Sequence, residues 1–201
     1  TIVESVKGNF LTIFTSSSSA IDCAKSLVKF SNNNPLNFQI GLSCGNPVDD
    51  AQVIFEKVIT EAKNLCLASR GGKVVLPSAI KKMYQKGNTP LNIANFKDLK
   101  SVDIAFLAKF LSFVSGHWNK SSLKIPDCCT HLRISSSSLH RKMMASLGVS
   151  FTVFLREYRL KKSIEVFPKF NSTAEVSYET GFNSPEYFRK CFYDFFGVSP
   201  S

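Results

Sequence analysis

The sequence has no apolar run long enough to cross a membrane, which takes about 20 residues, and it has no signal-peptide pattern at its start. The chain begins with threonine rather than methionine, inside a stretch with strand-like alternation. This beginning suggests a fragment of a longer protein. We expect a cytoplasmic chain with no membrane partner.

Residues that bind metals or act as catalysts are few and poorly spaced. The sequence has three histidines, and no combination of Ser, His and Asp has a recognisable spacing. Its six cysteines include no CxxC pair and no zinc-type spacing with histidine, which is typical of reduced, buried thiols. Cys128 and Cys129 lie near His131 and could form a redox or metal switch, but we favour two small core residues. We therefore expect no catalytic residue, no metal and no cofactor.

Basic residues outnumber acidic ones, and the formal net charge is +10. The excess is spread over both halves of the chain, so it permits nucleic-acid binding without by itself indicating it. Apolar residues make up 44% of the sequence and include 18 phenylalanines, enough for aromatic-rich cores in one large or two small domains.

The first half of the chain mixes strand and helix patterns. Hydrophobic spacing predicts strands over residues 1–6, 10–14, 36–43 and 73–76, and helices from residue 20, over 50–68 and over 78–85. This order indicates an α/β or α+β domain. Residues 86–98 contain glycine, proline and several asparagines and predict a linker, and a helix over 102–118 opens the second half.

The last third of the chain predicts two helix-turn-helix units in tandem. The first pairs residues 125–132 with 136–147, and a connecting helix over 151–167 leads to the second. In the second unit, Gly181 can adopt the positive φ of a sharp turn, and Phe182 can anchor that turn in a core. Ser184 is a good N-cap, and Pro185 suits the first position of the following helix.

The final helix has two contrasting faces. Phe188, Phe192 and Phe195 recur at helical spacing and predict a packed face. The opposite face has Glu186, Lys190 and Tyr193, with Arg189 on its flank. Such a helix packs on one side and contacts a polyanion with the other.

Residues 100–201 resemble the DNA-binding domain of AraC/XylS-type transcription regulators. The matching residues of the second helix-turn-helix are Gly181, Phe182, Ser184, Tyr187, Phe188, Lys190, Phe192, Gly197, Val198, Ser199 and Pro200. The matching residues upstream are Ile134, Ser135, Leu139, Arg141, Lys142, Gly148, Arg159 and Leu160. The resemblance implies an all-α domain that binds double-stranded DNA. Arg159 could touch DNA, but on a packed connecting helix we expect it to hold neighbouring elements together.

The exposed faces of the two second helices are then the expected DNA-contacting surfaces. Arg and Lys pair with guanine edges, Glu with cytosine, and Ser with several bases. The expected DNA-binding residues are Ser136, Ser137, His140, Arg141, Glu186, Tyr187, Arg189 and Lys190.

The N-terminal half resembles part of a class III nucleotide cyclase-type domain. The strings that match are residues 6–14, 20–27, 40–48, 54–66 and 72–76. The resemblance implies metal-binding aspartates. Asn9, directly after Gly8, stands where the family has an aspartate, and asparagine is a poor Mg²⁺ ligand. The family's transition-state asparagine and arginine fall at Thr60 and Asn64. A degenerate domain used for sensing, docking or pairing is therefore expected.

The sequence as a whole predicts an α+β chain. A small cyclase-like α/β domain over residues 1–90, ferredoxin-like in part, precedes a tandem helix-turn-helix domain over residues 100–201. The predicted function is sequence-specific transcription regulation, with a small effector, a partner subunit or a second copy of the chain meeting the N-terminal half. Two alternatives stay open: a cyclase-related enzyme, which a nucleotide turnover assay would detect, and a protein–protein adaptor.

Overall fold

The computed structural model describes residues 2–6, 9–34, 38–45, 51–86 and 95–200. The chain divides into two compact units, Thr1–Ala108 and Lys109–Ser201. The division falls inside a helix, and the two units are described separately.

The first unit combines short strands with helices. In chain order its elements are β1 (Ile2–Val6), β2 (Asn9–Ile13), α1 (Ser17–Asn32), β3 (Ile40–Gly41), α2 (Ala51–Ala68), β4 (Val74–Pro77), α3 (Ser78–Lys86), β5 (Phe96–Leu99) and the first part of α4 (Ser101–His117). β1 and β2 form an antiparallel hairpin in which Ile2 is opposite Ile13 and Val6 is opposite Asn9. This hairpin confirms the first two predicted strands.

β3, β4 and β5 form a parallel sheet with β4 in the middle. Ile40 is aligned with Val74, and Val74 with Phe96. Parallel neighbours need crossover connections, and here the crossovers are the helices α2 and α3. The core on one face of the sheet consists of Ile21, Ala24, Val28, Val74, Leu76, Ile80, Tyr84 and Phe96.

Two details of this sheet differ from the prediction. Residues 36–43 were predicted as one strand; within the described part of that range, residues 38–43, the strand paired with β4 is Ile40–Gly41. At Gly41 the backbone of β3 lies against α2, so a Cβ there would overlap the amide nitrogen of Cys66 and the carbonyl oxygen of Ala62. Phe96–Leu99 lies partly inside the predicted linker and is a strand. Its short, half-charged sequence gives no strand signal, and it is a strand because it pairs with β4.

The second unit is all-helical, as predicted. After the last part of α4 come α5 (Ile125–Leu132), α6 (Ser136–Leu147), α7 (Phe151–Val166), a 3₁₀ turn (Phe167–Lys169), α8 (Thr173–Glu179) and α9 (Pro185–Phe196). α5 and α6 form the first helix-turn-helix, α8 and α9 form the second, and α7 connects them. Each predicted helix in this part of the chain is confirmed to within two residues at either end.

Aromatic side chains form the cores of the second unit. Around the first helix-turn-helix, the ring of Phe110 on α4 meets Phe151 at 6.2 Å and Phe154 at 5.2 Å in edge-to-face contacts. Around the second, the buried cluster is Leu160, Val176, Phe182, Phe188, Cys191 and Phe192. Among the described residues, no helix is both long and apolar enough to span a lipid bilayer.

Candidate nucleic-acid interface

The first helix-turn-helix is built from local signals in its turn. Arg133 ends α5 in the left-handed region at φ 55°. Ser135 then caps α6, because its hydroxyl oxygen accepts from the amide of Ser138 at 3.2 Å. Leu139 and Met143 are buried on the inner side of α6, as predicted.

The outer face of α6 consists of Ser136, Ser137, His140 and Arg141, and all four residues are exposed. The two serines have partners nearby: the Ser137 hydroxyl is 3.1 Å from that of Ser135, and the Ser136 hydroxyl is 3.7 Å from the Cys129 thiol. His140 and Arg141 have the longest side chains on this face and extend furthest from the helix.

The second helix-turn-helix has the predicted turn chemistry. Gly181 has φ +80°, and the amide of Phe182 donates to the carbonyl of Ser177 at 2.9 Å. The buried Phe182 ring meets Phe188 edge-on at 5.1 Å and so anchors the turn. The Ser184 hydroxyl caps α9 by accepting from the amide of Tyr187 at 3.2 Å.

The inner face of α9 differs from the prediction at one position. Phe188 and Phe192 are buried, but Phe195 is 38% exposed. Phe196 packs against the core cluster instead, and the Phe195 ring only touches Phe196 at 4.8 Å. In the last turn of α9 the core contacts the side of the helix where Phe196 lies. Helical spacing alone therefore predicted the wrong phenylalanine, Phe195, as buried. Cys191 completes the buried face.

The outer face of α9 consists of Glu186, Tyr187, Arg189 and Lys190, and all four residues are exposed. Tyr187 is the only one of the four for which a side-chain partner on another helix is described. Interaction with the Tyr187 hydroxyl raises the pKa of the Arg156 guanidinium on α7. Arg156 is half-buried, and nothing in the local pattern of α7 predicted this interaction.

Arg159 has the structural role that was predicted for it. Its Nε donates to the carbonyl of Trp118 and a terminal nitrogen donates to the carbonyl of Lys120, both at 2.7 Å. Burial lowers the pKa of this guanidinium. Arg159 therefore joins α7 to the loop before α5.

The Cys128, Cys129 and His131 group is mostly structural. Cys128 is buried, and burial raises the pKa of its thiol to about 12, so it is protonated at neutral pH. Cys129 is only half-buried, which corrects the expectation of two core cysteines. The His131 ring stacks on Phe113 at 4.6 Å. Within the described parts of the chain, no group of three or more His, Cys, Asp or Glu residues could hold a metal ion.

The cyclase-matched positions of the first unit are on two elements. Asn9 is exposed at the start of β2, whereas Thr60 and Asn64 are on α2. A shallow cavity of about 370 Å³ is lined by Glu56, Lys57, Thr60, Glu61, Asn64, Ile104 and Ala108. In this cavity the Glu61 carboxylate already has a hydrogen-bond partner, because it accepts from the Ser43 hydroxyl at 2.7 Å. The cyclase resemblance stays a prediction. Asp49 and Asp50 could bind a cation, but the sequence favours an acidic pair that stabilises the start of a helix; both lie outside the described residues.

Residues 128–201 match the family model described as "Helix-turn-helix domain". "Histidine kinase P4" of Formosa agariphila is 30% identical over 105 residues, which is 51% of this chain and 8% of that protein. "Uncharacterized HTH-type transcriptional regulator YfiF" of Bacillus subtilis is 37% identical over 79 residues, 39% of this chain and 25% of that protein. The chain thus spans a quarter or less of the length of these two relatives.

Among solved structures, the C-terminal domain of AraT, a response regulator from Geobacillus stearothermophilus, is 27% identical. The match covers 44% of this chain and 74% of that chain, with a TM-score of 0.42. The family match thus marks the C-terminal part of this chain, residues 128–201, as similar to helix-turn-helix domains.

Proposed function

We propose that this chain is part of a sequence-specific transcription regulator of the AraC/XylS type, which binds double-stranded DNA in the cytoplasm. The observation that carries the proposal is the pair of exposed polar faces, on α6 and on α9, within one helical unit. The name of the B. subtilis relative, a helix-turn-helix-type transcriptional regulator, supports it.

The chemistry of the two outer faces suits base edges in the major groove. Arg141 and Lys190 bring cations that can pair with guanine, and Glu186 brings a carboxylate that accepts from the amino group of cytosine. On the inner sides of α6 and α9, buried residues such as Met143 and Phe188 hold each helix against the core. Rigid support of this kind lets a small number of contacts discriminate between bases.

The length of the connector suits two successive groove segments. α7 has 16 residues, which corresponds to about 24 Å at 1.5 Å per residue. Adjacent major-groove sites on one side of the duplex are about 34–36 Å apart, and helices that project beyond the connector's ends make up the difference. One protomer therefore covers two groove segments, and its site need not be palindromic.

Selection of bound fragments from a bacterial genome, followed by footprinting of the recovered DNA, tests this function. The expected result is a shared sequence with two protected segments about one helical turn apart for each protomer. Recovery of no shared sequence, with binding that does not weaken as salt increases, would indicate a protein–protein adaptor instead.

Arg141→Ala and Lys190→Ala should each weaken binding to the selected site by about 1–3 kcal/mol and relax the preference at one base position. When a bidentate or charged contact to a base edge is lost, water takes its place, and water discriminates between bases less well. Fluorescence anisotropy on the selected site and on single-base variants measures both effects.

Lys109→Ala is the control for these two variants, because Lys109 is exposed on α4 outside both helix-turn-helix units. Lys109→Ala should leave the base preference unchanged. Unchanged binding in both Arg141→Ala and Lys190→Ala would show that base contacts lie elsewhere.

The first unit is proposed to be regulatory and non-catalytic. Thr60 and Asn64 cannot supply a cation to a developing phosphoryl charge, and Asn9 is a weak metal ligand. A small effector or a partner subunit, a second copy of this chain included, is proposed to meet this unit. No cofactor is proposed.

A further inference from the structure

The helices α6 and α9 repeat one local pattern. Each has 12 residues. Each begins after a serine, Ser135 or Ser184, whose hydroxyl oxygen accepts from the amide three residues further on at 3.2 Å. Each ends at a glycine in the left-handed region, Gly148 at φ 71° and Gly197 at φ 74°. The two helices can therefore be aligned position by position from their capping serines, without a gap.

The buried sides of the two helices agree with this alignment. Leu139 of α6 is aligned with Phe188 of α9, and Met143 is aligned with Phe192. All four side chains are buried. Aligned positions therefore have the same orientation toward the core in both helices, and exposed residues at aligned positions lie at the same place on the outer face.

One aligned pair of exposed residues is large and apolar. Met144 of α6 and Tyr193 of α9 occupy the same position, and they are 45% and 57% exposed. A single exposed apolar side chain needs no explanation. Two of them at the same position of a repeated helix, each following the polar residues of the outer face, indicate a shared contact.

Met144 lies within the outer face of α6 and not at its edge. Seven residues of an α-helix fall about 20° short of two full turns, so Met144 lies nearly in line with Ser137 along the helix axis. Around the axis it lies between His140 and Arg141. At 1.5 Å per residue it is about 10 Å further along the helix than Ser137. The alignment gives Tyr193 the same place on α9.

The major groove offers an apolar partner for such a position. The base edges there present hydrogen-bond donors and acceptors, and thymine adds its 5-methyl group. The thioether side chain of Met144 is flexible and adapts to an apolar surface. The ring of Tyr193 has an apolar face as well as a polar tip. Contact with a thymine methyl group removes apolar surface from water on both partners.

We propose that Met144 and Tyr193 are specificity-determining residues, each of which contacts the methyl group of one thymine. This proposal rests on the proposed DNA-binding function. Met144 acts in the groove segment that α6 contacts, and Tyr193 acts in the segment that α9 contacts. The polar residues earlier on each helix read donors and acceptors, and the third turn of each helix reads a methyl group.

Deoxyuridine tests this contact directly, because its base differs from thymine only in lacking the 5-methyl group. The full chain is measured on the DNA fragment that the wild type selects, with the thymines replaced one at a time. Loss of one buried methyl contact corresponds to about a fourfold loss of affinity. The wild type should show this loss at one thymine in each protected segment.

The variants assign each methyl group to a side chain. Met144→Ala should bind the unmodified fragment about fourfold or more weakly and should no longer respond to deoxyuridine at one of the two thymines. Tyr193→Ala should lose the response at the other thymine. Each comparison is a double-mutant cycle between a side chain and a methyl group, which isolates the interaction between the two.

Conservative variants and a matched control complete the experiment. Met144→Leu and Tyr193→Phe keep the apolar surface and should keep the response to deoxyuridine. Ile164→Ala removes a side chain that is 50% exposed on α7, outside both α6 and α9, and should respond at both thymines as the wild type does. The urea midpoint from Trp118 fluorescence should be equal in all variants, because Met144 and Tyr193 are exposed.

Two results would overturn the proposal while leaving the proposed function intact. One is a wild-type chain that binds its selected fragment equally well after every replacement of thymine. The other is a wild-type response to deoxyuridine that persists in both Met144→Ala and Tyr193→Ala. A loss in Tyr193→Phe as large as that in Tyr193→Ala would assign the contact to the hydroxyl and overturn the proposal for Tyr193. A wild-type chain that binds no DNA fragment would overturn the proposed function, and this proposal with it.

Discussion

Phe188→Ala should destabilise the C-terminal unit by about 3–5 kcal/mol, the usual cost of removing a buried phenylalanine. Phe188 has no exposed surface, and its ring contacts Phe167, Phe182 and Phe192 at centroid distances of 6.3, 5.1 and 5.7 Å. The substitution leaves a cavity between the turn of the second helix-turn-helix and the 3₁₀ turn, and three aromatic contacts are lost together.

Urea unfolding followed by tryptophan fluorescence measures this loss. The chain has one tryptophan, Trp118, which lies in the C-terminal unit and is bound by Arg159. Its emission therefore reports on this unit. Phe195→Ala on the same helix is the control, and it should cost roughly 1 kcal/mol or less because Phe195 is 38% exposed. Equal losses in the two variants would show that the core around α9 is packed differently.

Gly181→Ala should be the most damaging exchange of a glycine in the second helix-turn-helix. The φ of +80° costs an alanine about 1–2 kcal/mol. A Cβ at this position would also lie 2.8 Å from the carbonyl oxygen of Asn119 and 3.0 Å from Cζ and Nε of Arg159. Crowding against backbone and a half-buried side chain adds about 1–3 kcal/mol, so the expected total is about 2–5 kcal/mol.

Gly197→Ala separates the two contributions. Gly197 has φ +74°, but a Cβ there would meet no heavy atom within 4 Å. It should therefore lose only the backbone cost of about 1–2 kcal/mol. The difference between the two variants, measured by the same fluorescence transition, is the cost of displacing the loop that Arg159 holds. If Gly197→Ala lowered the free energy of unfolding as much as Gly181→Ala does, the close contact between Gly181 and that loop would contribute nothing to the cost.

A consequence for DNA binding follows from the position of Gly181. The loop at Asn119, the guanidinium of Arg159 and the turn before α9 touch one another. A side chain at Gly181 would push on Arg159 and so on α7, which connects the two helix-turn-helix units. We expect Gly181→Ala to weaken DNA binding even where the unit remains folded.

The C-terminal unit was predictable because its signals are local. A serine at the N-caps of α6, α7, α8 and α9, Pro185 at the first position of α9 and glycine at the turns act within one or two turns of helix. The spacing that buries Leu139 and Met143 is equally local. Each of these residues can be read without knowing what packs against it, and the exposure of the eight expected DNA-binding residues follows from the same spacing.

The N-terminal unit was less predictable because its strands are short. β3 consists of two residues and β5 has lysine and aspartate at its centre. Strands of this kind exist through their partners: β5 forms because β4 offers it a ladder, and β3 pairs with β4 where α2 leaves no room for a side chain at Gly41. The sequence showed the order of the first seven elements but neither β5 nor the pairing that decides where each strand ends.

The sequence by itself determined the tandem helix-turn-helix arrangement, its caps and turns, and the buried and exposed sides of α6 and most of α9. Only the tertiary structure decided which phenylalanine closes the core at the end of α9, where Arg159 donates, and that Arg156 interacts with Tyr187. The physical reason is distance along the chain. Capping and helical periodicity act over three or four residues, whereas the interaction between Arg156 and Tyr187 depends on how α7 packs against α9, and helix packing is set by the complete core between them.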